Sequence, residues 1–122
     1  MKIIIAGSRG ITDIKHVNEA MIASTATFHW LDTPIDEIVS GTAPGVDRLG
    51  EQWARLRAIP VKRIPAQWDE YGRSAGHIRN AIMAEYADGA VLIWDGESRG
   101  TLNMINQMER RGKPYFLHQV KV

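Results

Sequence analysis

The chain has 122 residues, of which 44% are hydrophobic and 24% charged, and its formal net charge is +1. This length suits one domain, and the composition excludes disordered and fibrous classes; no apolar run approaches the roughly 20 residues of a membrane-spanning helix. A net charge of +1 creates no global field for a polyanion, so we expect neither a membrane partner nor a general nucleic-acid partner.

Five short apolar runs alternate with helical patterns along the chain. The predicted strands are 2–6, 35–40, 61–64, 90–94 and 115–118. The predicted helices are one begun by Thr12 or Asp13 with Ile14, Val17 and Met21 on its apolar face, one from Val46 with Leu49 and Trp53, one over 76–86, and one with Leu102, Ile105 and Met108. The polar and aromatic stretch 66–75 predicts a loop.

This alternation predicts a single Rossmann-like, three-layer α/β domain over residues 1–122, with a five-stranded, mostly parallel sheet. With the first strand central, the strand order is 3-2-1-4-5 and the last strand lies at an edge. Ligands of such sheets bind outside the carboxyl ends of the strands, where the strand order reverses. We therefore expect the site beside the first and fourth strands.

Three glycine-containing turns follow the first, second and fourth strands, and two of them open directly into a helix. Free amides at a helix N-terminus attract an anion, and glycine allows the backbone to approach a phosphate closely. Hydroxyl groups and an arginine add donors, and we interpret the serines as phosphate donors rather than nucleophiles. The candidate ligand-binding residues in these turns are Gly7, Ser8, Arg9, Ser40, Gly41, Thr42, Ala43, Gly45, Ser98, Gly100 and Thr101.

Three carboxylates lie near these turns. Asp47, in the first turn of the second helix, is the best catalytic candidate: it suits ribose hydroxyls or general-base chemistry, and equally suits a partner of the helix dipole. Asp95 either binds a ligand hydroxyl or braces its turn. Glu51, one helical turn after Asp47, is expected to be a solvated residue.

Aromatic and basic side chains surround the start of the third predicted helix. Trp68 and Tyr71 precede Arg73, Arg79 and Asn80. An aromatic ring beside arginines suits a base stacked over a phosphate clamp. The alternative is that the aromatic residues only anchor the loop and Arg73 is a surface charge.

Several chemistries are excluded or not expected. The chain has no cysteine, which excludes disulfides and thiolate metal sites, and its histidines share no ligand spacing, so we expect no metal and no cofactor. The dinucleotide fingerprint G-x-G-x-x-G and the P-loop motif are both missing from the sequence. The N-terminal apolar run is too short for a signal peptide, and we expect a cytoplasmic protein.

The motifs Gly7-Ser8-Arg9, 39–47 and 98–101, in this order, resemble those of the SLOG superfamily. That superfamily includes DNA-processing protein A (Smf) and the Lonely Guy phosphoribohydrolases. The stretch 68–80 is similar to the small YspA/YpsA-related branch of bacteria and phages. The resemblance implies a Rossmann-like fold, a nucleotide-derived ligand and a homo-oligomer, and it favours ligand binding by Arg79 and Asn80.

One departure from the Lonely Guy signature G-G-x-G-T-x-x-E bears on function. Met104 occupies the position of the glutamate that the resemblance assigns to catalysis. We therefore expect a sensor or sequestering protein for a nucleotide-derived phosphate ligand, such as an ADP-ribose-like or cyclic nucleotide signal. The alternatives are a nucleoside-monophosphate phosphoribohydrolase, which cleaves the N-glycosidic bond, and a single-stranded-DNA-associated module of the Smf type.

Overall fold

The computed structural model describes residues 1–30 and 32–121, in which strands and helices alternate. The strands are β1 (Lys2–Gly7), β2 (Glu37–Ser40), β3 (Val61–Arg63), β4 (Gly89–Trp94) and β5 (Tyr115–Gln119). The α-helices are α1 (Lys15–Ala23), α2 (Thr25–Phe28), α3 (Val46–Leu56), α4 (Trp68–Tyr71), α5 (Ala75–Tyr86) and α6 (Arg99–Arg110). None of these helices is long and apolar enough to cross a membrane.

The five strands form one sheet in the order β3-β2-β1-β4-β5, and every neighbouring pair is parallel. The predicted strand order and the edge position of β5 are confirmed. Because β1 pairs with both β2 and β4, the strand order reverses beside it. The carboxyl ends of β1 and β4 therefore border the crevice in which such folds bind ligands.

Alternate residues of β1 enter the two layers on either side of the sheet. Ile3 and Ile5 pack with residues of α1 and α3, whereas Ile4 and Ala6 pack with residues of α5 and α6. This alternation follows from the two-residue period of a strand. A central strand that is apolar on both faces gives the three-layer arrangement that the sequence predicted.

The stretch 66–75 is not the loop that the sequence predicted. It holds the short helix α4 and a 3₁₀ turn over Gly72–Ser74 that leads into α5. Trp68 and Tyr71 remain 52% and 43% exposed, so α4 has no buried apolar face. A single helical turn without such a face carries no periodicity in the sequence.

Two smaller differences concern helix faces and ends. The first helix begins at Lys15, and the Asp13 carboxylate accepts a hydrogen bond from the Lys15 amide at 3.0 Å. Leu102, predicted on the apolar face of α6, is 46% exposed, and Met104 is buried instead. Ile105 and Met108 are buried as predicted, so the buried face of α6 continues through Met104 and Leu102 lies outside it.

Gly7 allows the turn after β1 to approach β4 closely. A Cβ atom at this position would lie 1.9 Å from the carbonyl oxygen of Ile93. The next amide, that of Ser8, donates to the same carbonyl at 3.0 Å. Because Gly7 has no side chain, the end of β1 can pack directly against the end of β4.

Lys113 anchors the C-terminal end of α5. Its ammonium group donates to the carbonyl oxygens of Ala84, Glu85 and Ala87, each at 2.8 Å. The last carbonyls of a helix have no partner within the helix and carry its negative dipole end, so a cation stabilises them.

We predict that Lys113→Met, which keeps the aliphatic stem and removes the charged donor, lowers the free energy of unfolding by about 1–2 kcal/mol. Urea denaturation followed by circular dichroism measures this change. Lys15→Met, at an exposed position, serves as the control and should change stability by less than about 0.5 kcal/mol. Equal stability of the two variants would contradict the role given to Lys113.

Candidate ligand-binding site

A cavity of about 410 Å³ lies at the carboxyl ends of β1 and β4, between α5 and α6. All three glycine-containing turns contribute to its wall. The predicted site residues that line it are Gly7, Arg9, Ala43, Asp47, Arg73, Arg79, Asn80, Asp95, Ser98, Gly100 and Thr101. Gly41 and Thr42 line a smaller adjoining cavity, to which Arg9, Ala43 and Arg79 also contribute.

Ser8 and Ser40, expected as phosphate donors, are buried and bonded within the protein. The Ser8 hydroxyl oxygen accepts from the Asp95 amide at 3.0 Å. The Ser40 hydroxyl donates to Glu51 at 2.6 Å and accepts from the Thr42 amide at 3.1 Å. Both side chains are 0% exposed, so they hold the turns in place and neither lines the two cavities.

Glu51 is not the solvated residue that the sequence predicted. Its side chain is 4% exposed, since it lies under the end of β2 and accepts the Ser40 hydrogen bond. Arg63 and Arg55 lie 3.2 and 3.7 Å from its carboxylate and neutralise it. Helical spacing correctly placed Glu51 on the same face as Asp47, but that face packs against β1 and β2.

The N-terminus of α3 is closed by the turn after β1. The Val46 amide donates to the Ser8 carbonyl at 3.3 Å. Gly45, at φ +83°, lies so close to this turn that a Cβ atom would be 2.5 Å from the Arg9 carbonyl oxygen. Gly45 therefore serves the packing of two turns, and α3 does not open freely towards a ligand as predicted.

Asp47 joins the turns after β1 and β2. One carboxylate oxygen accepts from the Gly7 amide at 3.4 Å, and the other accepts from the Ala43 amide at 3.2 Å. Burial raises the pKa of Asp47 to about 6, against the opposing effects of Arg79, the two amides and Arg9. The Asp47 carboxylate thus holds the two turns together, and the positive charges of Arg79 and Arg9 favour its ionised form.

Arg79 reaches from α5 to the turn after β2. Its Nε donates to Asn80 Oδ1 at 3.0 Å, and its Nη1 donates to the carbonyl oxygen of Gly41. Burial lowers the pKa of this guanidinium below its usual value. A Cβ atom on Gly41 would lie 2.6 Å from Arg79 Nη1 and 2.7 Å from Asp47 Oδ2, so this close arrangement requires glycine.

Asn80 attaches the start of α6 to α5. Its side-chain amide donates to the Gly100 carbonyl at 3.0 Å and to Asn103 Oδ1 at 3.1 Å. With its oxygen accepting from Arg79, both ends of the amide are engaged. Asn80 therefore lines the cavity as a positioning residue.

Asp95 braces the turn between β4 and α6. One of its oxygens accepts from the amides of Glu97 and Ser98, at 2.8 and 2.9 Å. These two hydrogen bonds hold the pKa of Asp95 below its ordinary value. The sequence left two roles open for Asp95, binding a ligand hydroxyl or bracing its turn. The observed hydrogen bonds are those of a residue that braces its turn.

The N-terminus of α6 opens into the cavity. Ser98 caps it by accepting from the Thr101 amide at 3.4 Å, and the Leu102 amide donates to the Ser98 carbonyl at 3.2 Å. Within the described residues this leaves the amides of Arg99 and Gly100 without an acceptor. A Cβ atom on Gly100 would meet nothing within 4 Å, so open space lies over the first turn of the helix.

The cavity also has walls that the predicted residues did not include. Met83 and Met104 are buried and form an apolar part of its surface. Trp68, for which the sequence left base stacking and loop anchoring open, also lines the cavity, and the other additional lining residues are Ala6, Gly10, Gly76 and His77. Met104 therefore lines the site at the position where the resemblance would place a glutamate.

Arginine dominates the charge of this cavity. Arg9, Arg73 and Arg79 line it with two carboxylates, Asp47 and Asp95, which already accept backbone amides. In the described part of the chain, neither Arg9 nor Arg73 has a carboxylate within 4.0 Å. Residues 1–30 and 32–121 contain no group of three His, Cys, Asp or Glu side chains that suits a metal ion.

Comparisons with known proteins agree with this fold. The sequence pattern of the YspA, cpYpsA-related SLOG family matches residues 1–71. The X-ray structure of DNA processing protein A from Streptococcus pneumoniae is similar, with a TM-score of 0.68 at 17% sequence identity. That alignment covers 95% of this chain and 49% of the other, so this chain spans about half the length of its structural neighbour. No curated protein sequence matches the chain.

We predict that Asp47 makes stability depend on pH. Since its pKa is about 6 in the folded protein against an ordinary 3.8, the folded state binds the proton more tightly. The resulting stabilisation is complete below the ordinary pKa and is lost as pH rises through about 6. Relative to Asp47→Asn, the free energy of unfolding of the wild type should rise by about 1 kcal/mol from pH 7 to pH 5.

Urea denaturation at several pH values measures this difference. Asp69→Asn, which removes an exposed carboxylate on α4, is the matched control and should follow the wild-type curve. If the wild-type and Asp47→Asn curves ran parallel, Asp47 would not be the buried titrating group described above.

Proposed function

The chain belongs to the YspA, cpYpsA-related SLOG family, and on this premise we propose that it binds a nucleotide-derived phosphate ligand as a sensor or sequestering protein. The observation that carries the proposal is the cavity in which the open N-terminus of α6 faces arginines from other elements. Its volume of about 410 Å³ lies within the range of small-molecule sites.

The phosphate group is proposed to bind at the first turn of α6. The amides of Arg99 and Gly100 and the positive end of the helix dipole favour an anion there. Glycine within a helix costs about 0.5–1 kcal/mol relative to alanine, and packing against other residues does not require Gly100. A ligand that occupies the space over this backbone would explain why residue 100 is a glycine.

The nucleoside is proposed to lie between the apolar and aromatic walls. Met83 and Met104 supply an apolar surface, and Trp68, half exposed on α4, supplies a ring at the rim. A base stacked on an aromatic side chain gains about 1–3 kcal/mol. Arg73, on the 3₁₀ turn after α4, is placed to attract the phosphate from the same side.

A phosphoribohydrolase is the second candidate, because the raised pKa of Asp47, about 6, is suited to a general base. Water would then add across the N-glycosidic bond and release the free base and ribose 5-phosphate. Two observations weigh against it: both Asp47 oxygens accept backbone amides, and Met104 provides no second carboxylate. Incubation with AMP or CMP, followed by chromatography for free base, distinguishes an enzyme from a binding protein.

We predict that Gly100→Ala weakens ligand binding without lowering the stability of the fold. The added methyl group should weaken binding of AMP at least about tenfold, since it occupies the space over the first-turn amides. The melting temperature should stay the same or rise, because the methyl group meets no protein atom within 4 Å. Isothermal titration calorimetry and thermal unfolding provide the two readouts.

Ile82→Ala, at an exposed position of α5 outside the cavity, is the control and should leave the affinity unchanged. Wild-type protein that gives no heat with AMP, ADP-ribose or cyclic AMP would contradict the proposed function. Unchanged affinity in Gly100→Ala would contradict the placement of the phosphate.

A further inference from the structure

A second cavity of about 290 Å³ lies beside the first, at the end of β2. The two cavities share Arg9, Ala43, Trp68 and Arg79 in their walls. The second is closed by the turn after β2 and by the segment after β3, through Thr42, Pro44 and Pro65. The function proposed above leaves this space unused.

The charge of the second cavity is positive. Three arginines line it, and no carboxylate of the described residues does so. Arg48, in the first turn of α3, is the arginine that sequence analysis did not select. Its Nε donates to the Thr42 carbonyl at 3.4 Å, which holds the side chain along the turn, and its terminal nitrogens have no acceptor among the described residues.

Arg9 and Arg79 stand between the two cavities. Arg79 is fixed there by its hydrogen bonds to Asn80 and Gly41, and its charge and that of Arg9 repel each other, which contributes to the lowered pKa of Arg79. An anion on either side relieves this repulsion. Guanidinium groups present donors in a planar fork, so the same pair can serve a phosphate in each cavity.

Two features of the second cavity's wall favour the binding of a ligand there. Thr42 lines the cavity at φ +67°, a left-handed conformation that β-branched residues rarely adopt. Trp68 keeps 52% of its surface exposed at the boundary of both cavities. A flat ligand lying on the indole would therefore extend into both spaces.

We propose that the ligand is a nucleotide carrying two phosphate groups on different parts of the nucleoside, one in each cavity, with the nucleoside beside Trp68. This inference rests on the proposed function and makes its ligand class specific. Arg48 binds the second phosphate, and Arg9 and Arg79 contact both. Two adjacent phosphates, as in a nucleoside diphosphate, would leave the second cavity unfilled.

The test compares three probes by isothermal titration calorimetry: AMP, ADP and adenosine 3′,5′-bisphosphate. The bisphosphate should bind at least about tenfold more tightly than AMP or ADP. Arg48→Ala should reduce this preference to about twofold or less, because the charge that it removes lines only the second cavity. Arg110→Ala, which removes an exposed charge at the end of α6, should keep the full preference.

The outcomes separate the two proposals. Binding of AMP with no preference for the bisphosphate, a preference shared equally by ADP, or a preference that survives in Arg48→Ala overturns this inference and leaves the proposed function intact. No heat with any of the three probes overturns this inference, and no heat with ADP-ribose and cyclic AMP as well overturns the proposed function.

Discussion

The buried carboxylate of Asp47 is the interaction on which the site depends. It accepts amides from the turns after β1 and β2, and Arg79 stands beside it with a hydrogen bond to Gly41. An ionised carboxylate with so little exposure would cost several kcal/mol if it were neither paired nor hydrogen-bonded. Asp47, in the first turn of α3, thereby fixes that helix relative to the two turns and to α5, because each of these three contributes a partner to its charge.

The polar residues around the cavity divide into those that hold it and those that face its space. The residues that hold the cavity form hydrogen bonds with backbone or side-chain partners; they are Ser8, Ser40, Glu51 and Asp95. Asn80 links α5 to α6 through its hydrogen bond to the Gly100 carbonyl. The groups that face the space of the cavity include the backbone of glycine residues and the side chains of arginines. Asp47 and Asp95 accept backbone amides, while Arg9 and Arg73 have no carboxylate partner within 4.0 Å among the described residues. Positive charge therefore predominates in the cavity although the net charge of the chain is only +1.

The sequence predicted the strand order and the end of the sheet at which the cavity lies because both follow from general rules of parallel sheets. Apolar runs marked all five strands, and a parallel sheet brings the turns after its strands to one edge. Residue type could not tell which hydroxyl faces a ligand: Ser8 and Ser40 have the right chemistry, yet both are buried. Helical spacing gave the shared face of Asp47 and Glu51 but not the strand against which it packs, and the exposed turn of α4 left no periodic pattern.

Backbone amide chemical shifts, recorded by NMR during a titration with AMP, report directly where the phosphate lies. We expect the largest shifts at Arg99 and Gly100, with smaller ones at Gly7 and Ala43, and little change at Lys2 and Asp88 at the opposite end of the sheet. Shifts centred on that opposite end, or none at Arg99 and Gly100 at saturating AMP, would contradict this placement.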